Sequence, residues 1–177
     1  MIRNKMEYLE YLKADLANSD FKPTLKAKLF NEIWRYQRLL RKQEYYLNCK
    51  KGLGAKFIQL WLEYTRKRLG NKLGFSIPCN VFDAGLSIAH VGTIVVNPKA
   101  KIGKNCRIHV CVNIGAAKDK NEAPIIGDNA YIGPGAKLYG GIVLGDNVLI
   151  GANAVVNKSF SEGNCTLVGI PAQKTLK

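Results

Sequence analysis

The chain has 177 residues, 47% of them hydrophobic, and 27 Lys/Arg against 13 Asp/Glu give a formal charge of +14. That length suits one compact domain, or one domain with a helical appendage, and no uninterrupted run of about 18 apolar residues offers a membrane span. The start, Met1–Glu7, lacks the apolar stretch of a secretory signal. The five cysteines, with no C-x-x-C pair, read as reduced thiols, so a cytoplasmic protein is expected.

The charge is uneven. Residues 1–74 carry 17 Lys/Arg against 7 Asp/Glu, and residues 75–177 carry 10 against 6. A front half with that excess suits nucleic acid, anionic lipid headgroups or a phosphorylated substrate. No nucleic-acid partner is expected, because basic residues are not interleaved with stacking aromatics in a recognised motif. Peripheral membrane contact through basic N-terminal helices remains open, as does a plain solvated helical surface.

In chain order, Tyr8, Leu9, Tyr11, Leu12 and Leu16 predict an amphipathic helix ended by Asn18-Ser19-Asp20. Leu29, Ile33, Tyr36 and Leu40 recur at helical spacing, with Arg35, Arg38, Arg41 and Lys42 between them as a solvated basic face. Trp61, Leu62, Tyr64 and Leu69 predict a third helix before Gly70. There Arg66, Lys67 and Arg68 would meet the negative end of the helix dipole.

After Leu73-Gly74 the texture changes to short β-rich pieces. Between Ile126 and Val156 an aliphatic residue stands at every sixth position: Ile126, Ile132, Leu138, Leu144, Ile150 and Val156. Ala130, Ala136, Ile142, Val148 and Ala154 follow four residues later. Ile88, Ile94 or Val96, Ile102, Ile108 and Ile114 carry the rhythm backwards. A period of six fits neither an ordinary helix nor an ordinary strand. It marks a parallel β-helix in which three units make one triangular turn, with aliphatic residues stacking inward. The rhythm breaks at the polar stretch from Gly115 to Pro124, which predicts a projecting loop, the place where solenoids carry chemistry. The expected organisation is an N-terminal helical region, 1–72, and a β-helix domain, 73–177, with loop 115–125 and a C-terminal tail.

The repeat, the loop and the ending Gly169-Ile170-Pro171-Ala172 resemble hexapeptide-repeat acetyltransferases, within them the serine O-acetyltransferase-like branch, over roughly residues 70–174. The segment Ile88-Ala89-His90-Val91-Gly92-Thr93-Ile94 looks like that branch's catalytic stretch, and Ala123-Pro124-Ile125-Ile126-Gly127-Asp128 like the re-entry after its active-site loop. Residues 33–42 look more like members associated with bacterial surface polysaccharide synthesis. The resemblance implies a mainly β fold, a left-handed parallel β-helix behind the helical segment. That winding departs from the usual right-handed crossover. It also implies a homotrimer, acetyl-CoA as co-substrate in a groove between subunits, and direct attack of a hydroxyl group on the thioester.

An alcohol holds its proton at neutral pH, and a neutral imidazole that takes it contributes roughly 10²–10⁴-fold. Only two histidines exist. His90, in the matching segment, is the expected catalytic base. His109 follows inward Ile108, should face outward on the adjacent coil, and is expected to contact the acceptor. Cys111 lies near both, but two histidines and one cysteine lack metal-ligand spacing, so no metal is expected. In the serine enzymes an Asp precedes the catalytic His and an Arg-His pair precedes the loop-end Pro. Here those positions hold Ala89, Glu122 and Ala123. An arginine fork suits an amino-acid carboxylate, whereas Glu122 would repel it, so a sugar hydroxyl is the expected acceptor. Glu122 and Asp83 are candidates for binding the acceptor or orienting a histidine. Gly133, Pro134, Gly151 and Ala152 fit the pantetheine by position, and Lys158 and Lys174 the coenzyme phosphates. Serine acetylation for cysteine synthesis is the rival within the class, and a non-catalytic hexapeptide-repeat scaffold the rival outside it.

Overall fold

In the computed structural model, the described residues are all but 22, 23, 25–29, 118–121, 176 and 177. Helix α1 (Lys5–Ala17) starts at Asn4, whose side chain accepts a hydrogen bond from the Glu7 N–H, as an N-cap amide does. Of the apolar residues that the spacing predicts, Tyr11 is buried and Tyr8, Leu12 and Leu16 are half-buried. Leu9 is exposed, and the buried positions are Tyr11 and Asp15.

Helix α2 (Glu32–Cys49) is capped by Asn31 and buries Trp34, Tyr36 and Leu40, in keeping with the spacing; Leu29 lies outside the described residues. Arg41 departs from expectation. Far from being solvated, its side chain is fully buried and donates to Asp15 (Nε to Oδ2 2.8 Å), to Glu44 (3.0 Å) and to the carbonyls of Phe82 (2.8 Å) and Asp83 (2.7 Å). Burial by itself would favour the neutral guanidine, but the two carboxylates outweigh it and hold Arg41 more firmly protonated than usual. Asp15 also accepts from the N–H groups of Gly85 and Leu86, at 2.8 Å each. One ion pair therefore joins two helices to the first β turn.

Helix α3 (Leu53–Leu73) runs past Gly70 and stops at Gly74, whose φ of 81° is the left-handed cap conformation. Arg66 does not serve the helix dipole. It turns inward to Gln43 Oε1 (2.5 Å) and the Ile77 carbonyl (2.7 Å). Gly70 is where α3 meets the β region, since a Cβ there would lie 2.7 Å from the Phe75 carbonyl oxygen. Leu62 and Leu69 are buried as expected, whereas Trp61 and Tyr64 are exposed.

From Phe75 onward the chain winds through three walls of short parallel strands. Wall A holds β1 (Phe75–Ser76), β3 (Ile94–Val96), β6 (Val112–Gly115), β9 (Lys137–Tyr139) and β12 (Val155–Val156). Wall B holds β4 (Lys101–Ile102), β7 (Ile125–Ile126) and β10 (Val143–Leu144). Wall C holds β2 (Ser87–Ile88), β5 (Arg107–Ile108), β8 (Tyr131–Ile132), β11 (Leu149–Ile150) and β13 (Thr166–Val168), with β14 (Gln173–Lys174) folded back antiparallel on β13.

Strands stack in register, aliphatic on aliphatic: Ile88 on Ile108, Ile108 on Ile132, Ile132 on Ile150 and Ile150 on Leu167. Pairing across a regular turn is offset by 18 residues, as for Ile125 with Val143. Between the second and third turns it is 24, as for Lys101 with Ile125. The surplus of six falls between Gly115 at the end of β6 and Ile125 at the start of β7, within the polar stretch of the sequence; residues 118–121 lie outside the described residues. The inward aliphatics form one core that continues into Tyr36, Leu40, Leu69 and Leu73 of the helices.

At the corner between walls B and C, Asn105, Asn129, Asn147 and Asn164 all have positive φ, which asparagine tolerates better than other side chains. Their amides hydrogen-bond one to the next at 2.9–3.0 Å. All five cysteines are free. No described helix is long and apolar enough to cross a membrane.

Removing one partner of a buried charge pair strands the other, at a cost of roughly 3–5 kcal/mol. Arg41→Ala should lower the free energy of unfolding by about that much in urea denaturation, whereas the exposed Lys67→Ala should change it by less than about 1 kcal/mol.

Candidate active site

Wall C ends at the corner leading to wall A. In successive turns that corner carries Ala89-His90-Val91, then His109-Val110, then Gly133-Pro134, then Gly151-Ala152. The ladder keeps them in one column: the Ala89 N–H donates to Ile108, His109 to Ile132, Gly133 to Ile150 and Gly151 to Leu167. Six of the predicted site residues therefore share a single edge of the solenoid.

His90 is exposed at the bottom of this column. Its ring centroid lies 6.0 Å from that of His109, as their adjacent coils predict. His109 is half-buried and faces outward, its ring 4.9 Å from Tyr131. Its Nε2 accepts a hydrogen bond from Arg107 Nε at 3.3 Å, an interaction that only the neutral ring can make. Burial lowers the His109 pKa first, and the Arg107 guanidinium and His90 push it the same way against the opposing pull of Asp20. The ring is thus held below the ordinary imidazole value of about 6.5.

Arg107 and its partners were not singled out from the sequence. Its guanidinium forms an ion pair with Asp20, just beyond α1, and donates to Ser87 Oγ at 3.2 Å. The available signal was positional, because Arg107 and His109 flank inward Ile108 and so share the outer face of wall C. Asp20, whose carboxyl is lowered chiefly by the Arg107 hydrogen bond, carries no signal of its own in the sequence.

Other candidates fall elsewhere. Asp83 stands where wall B leads into wall C, at the opposite end of that wall from His90. It accepts hydrogen bonds from Tyr11 and from the Ala84 N–H. Burial alone would raise its carboxyl, but those bonds hold it below the usual range. Glu122 is exposed and lies over Gly141, at the corner between walls A and B, in the space a Cβ on that glycine would take. Lys158 is exposed on the same A–B corner, after β12. Lys174 lies on β14 and faces Glu162 at 3.6 Å. Structure does not bring these four together with His90 within one chain.

The corner glycines have a steric reason of their own. A Cβ on Gly133 would sit 2.7 Å from the Ile150 carbonyl oxygen, and one on Gly151 2.8 Å from Val168 Cγ1. Close stacking of the coils requires them. Beside them Pro134 and Ala152 are exposed and small, leaving a low, backbone-rich track above the histidines that suits an amide-bearing chain such as pantetheine. Among the described residues no group of three or more His, Cys, Asp or Glu could hold a metal ion.

The electrostatics of His109 can be measured. Its imidazole signal should titrate in NMR with a midpoint below 6.5. Replacing Arg107 by Met removes a positive neighbour and should raise that midpoint; an unchanged or lower value would contradict this assignment.

Residues 123–158 match the family model of the bacterial transferase hexapeptide (six repeats). No curated protein matches the chain. Among solved structures it is similar to the soybean serine acetyltransferase apoenzyme, at 22% identity over 97% of this chain and 70% of that one, with a TM-score of 0.79. It is also similar to serine acetyltransferase from Neisseria gonorrhoeae in complex with serine, at 25% identity over 97% and 70%, with a TM-score of 0.77. The Brucella abortus serine acetyltransferase follows at 23% identity over 96% and 69%, with a TM-score of 0.75. These likenesses extend through the N-terminal helices as well as the walls. Together with the hexapeptide segment, they support an acyltransferase.

Proposed function

We propose that this protein is an acetyl-CoA-dependent O-acetyltransferase in which His90 is the general base. The observation that carries the reading is the shared corner: an exposed imidazole, a second one 6.0 Å away, and above them a track of small residues and backbone. Acetyl-CoA supplies the activated acetyl group when bound. His90 takes the proton from an acceptor hydroxyl as its oxygen bonds to the thioester carbonyl carbon. When the C–S bond breaks, the same imidazolium returns the proton to the departing thiolate. His109, kept neutral beside Arg107, serves the acceptor as a hydrogen-bonding group.

On this reading Gly133, Pro134, Gly151 and Ala152 receive the pantetheine, while Lys158 and Lys174 meet the phosphates from neighbouring faces. His90 stands on a convex corner, and a ligand there gains enclosure only from a second surface. A homotrimer of left-handed β-helices supplies it, with Glu122 of one protomer offered to the acceptor of the next. Helical region 1–72 and β-helix 73–177 work as one unit, and free cysteines suit a reducing, cytoplasmic setting.

The proposed acceptor is a sugar hydroxyl of a surface-polysaccharide precursor. Ala89, Glu122 and Ala123 offer no cation to a carboxylate, and the nearby guanidinium of Arg107 is already paired with Asp20. Serine is the second reading, and one observation favours it: the Asp20 carboxylate is exposed, so a free carboxylate that displaced it would find Arg107 beside His109.

Two measurements test these statements. His90→Ala should reduce acetyl transfer by at least roughly 10²-fold while coenzyme A still raises the thermal midpoint. Activity within a few-fold of wild type would move the base elsewhere, and no thermal shift even for wild type at millimolar coenzyme A would favour a scaffold. Thiol release from acetyl-CoA should be faster with nucleotide sugars or oligosaccharides than with serine; robust serine turnover reverses the acceptor assignment.

A further inference from the structure

Helix α3 has two apolar faces. One, with Leu62, Leu69 and Leu73, is buried against α2 and the first coil. The other has no partner among the described residues: Leu53 is 76% exposed, Phe57 72%, Leu60 64%, Trp61 58% and Tyr64 63%. Their spacing of four, three, one and three residues places all five on one side of the helix, opposite Leu62. A contiguous apolar stripe of this kind is normally an interaction surface.

The charge around this face identifies what covers it. Lys50 and Lys51 precede the helix, Lys56 lies within the stripe's border, and Lys67 and Arg68 continue it toward the C-terminus. The only acidic side chain on the helix is Glu63, which pairs with Lys67. A second copy would bring one basic border against another of the same sign, which opposes self-association. An anionic partner is favoured instead. The face carries Trp, Tyr, Phe and Leu beside Lys and Arg. That composition suits a helix lying in the headgroup region of a bilayer, its rings at the interface and its cations among acidic lipids.

We infer that α3 is a peripheral membrane-docking helix. It inserts Leu53, Phe57, Leu60, Trp61 and Tyr64 into an anionic lipid surface, with Lys50, Lys51, Lys56, Lys67 and Arg68 holding the headgroups. The inference is independent of the acetyl acceptor and of His90.

The full chain should co-sediment with vesicles of phosphatidylcholine containing phosphatidylglycerol, and not with phosphatidylcholine alone, and high salt should release it. Of the two tryptophans, Trp34 is buried and Trp61 exposed, so a blue shift on adding anionic vesicles reports Trp61 entering lipid. Phe57→Gln with Leu60→Gln should abolish binding while circular dichroism, thermal midpoint and sedimentation mass without lipid stay unchanged. Lys56→Gln and Arg68→Gln should each weaken partitioning roughly fivefold. The inference is overturned if wild type ignores anionic vesicles or binds neutral ones equally well. A fall in mass of the Phe57/Leu60 variant without lipid also overturns it, assigning the face to a second copy.

Discussion

Everything placed along the solenoid depends on in-register stacking of the inward aliphatics. Ile88, Ile108, Ile132, Ile150 and Leu167 sit one above another on wall C, and each must point inward to keep its apolar surface from water. Because side chains alternate along a strand, the residue before and the residue after each of them must then face out. Arg107 and His109 acquire their common face in this way, and so does Tyr131 one coil above. A slip of one residue would bury the guanidinium and expose Ile108, so the core holds the register that assembles the polar cluster.

The helical region is more than a cap on this column. Arg41 and Asp15 bind α1 and α2 to the first coil through charges satisfied by each other, by Glu44 and by the Phe82–Leu86 backbone. That joint fixes where α1 ends, and just beyond its end Asp20 reaches Arg107. A buried pair near the core thus sets the position of an exposed carboxylate beside the histidines. Burying such a pair yields little stability compared with a well-packed apolar substitute, but it fixes orientation more narrowly than a greasy contact would.

The β region was legible because its period is strict. One inward aliphatic per six residues predicted the walls, and the count from Ile88 to Ile108 placed the two histidines on neighbouring coils. The helices were legible as helices and misleading as surfaces. Periodicity treats every arginine as outward, so Arg41 is read as solvated and Arg66 as facing the helix dipole, although their burial rests on partners 26 and 23 residues away. It also does not say which apolar residues of a helix are covered: of the four that predict the third helix, Leu62 and Leu69 are buried and Trp61 and Tyr64 exposed. Arg107 and Asp20 were missed for a related reason: their pairing spans 87 residues, and no local pattern records it.

The three corners differ in a way that bears on where a ligand can lie. At the B–C corner the asparagine ladder runs from Asn105 to Asn164, and the carboxylates of Asp128 and Asp146 accept the N–H groups of Lys104 and Asp128. Polar side chains there are consumed by the solenoid itself. The C–A corner carries no such ladder among the described residues. Its coils approach through Gly133 and Gly151, whose missing side chains leave the edge low, and its polar groups include the two imidazoles. A ligand approaching the B–C corner would have to break side-chain hydrogen bonds that hold the turns together, whereas one at the C–A corner meets no such ladder. The proposed chemistry therefore sits on the edge from which the architecture asks least.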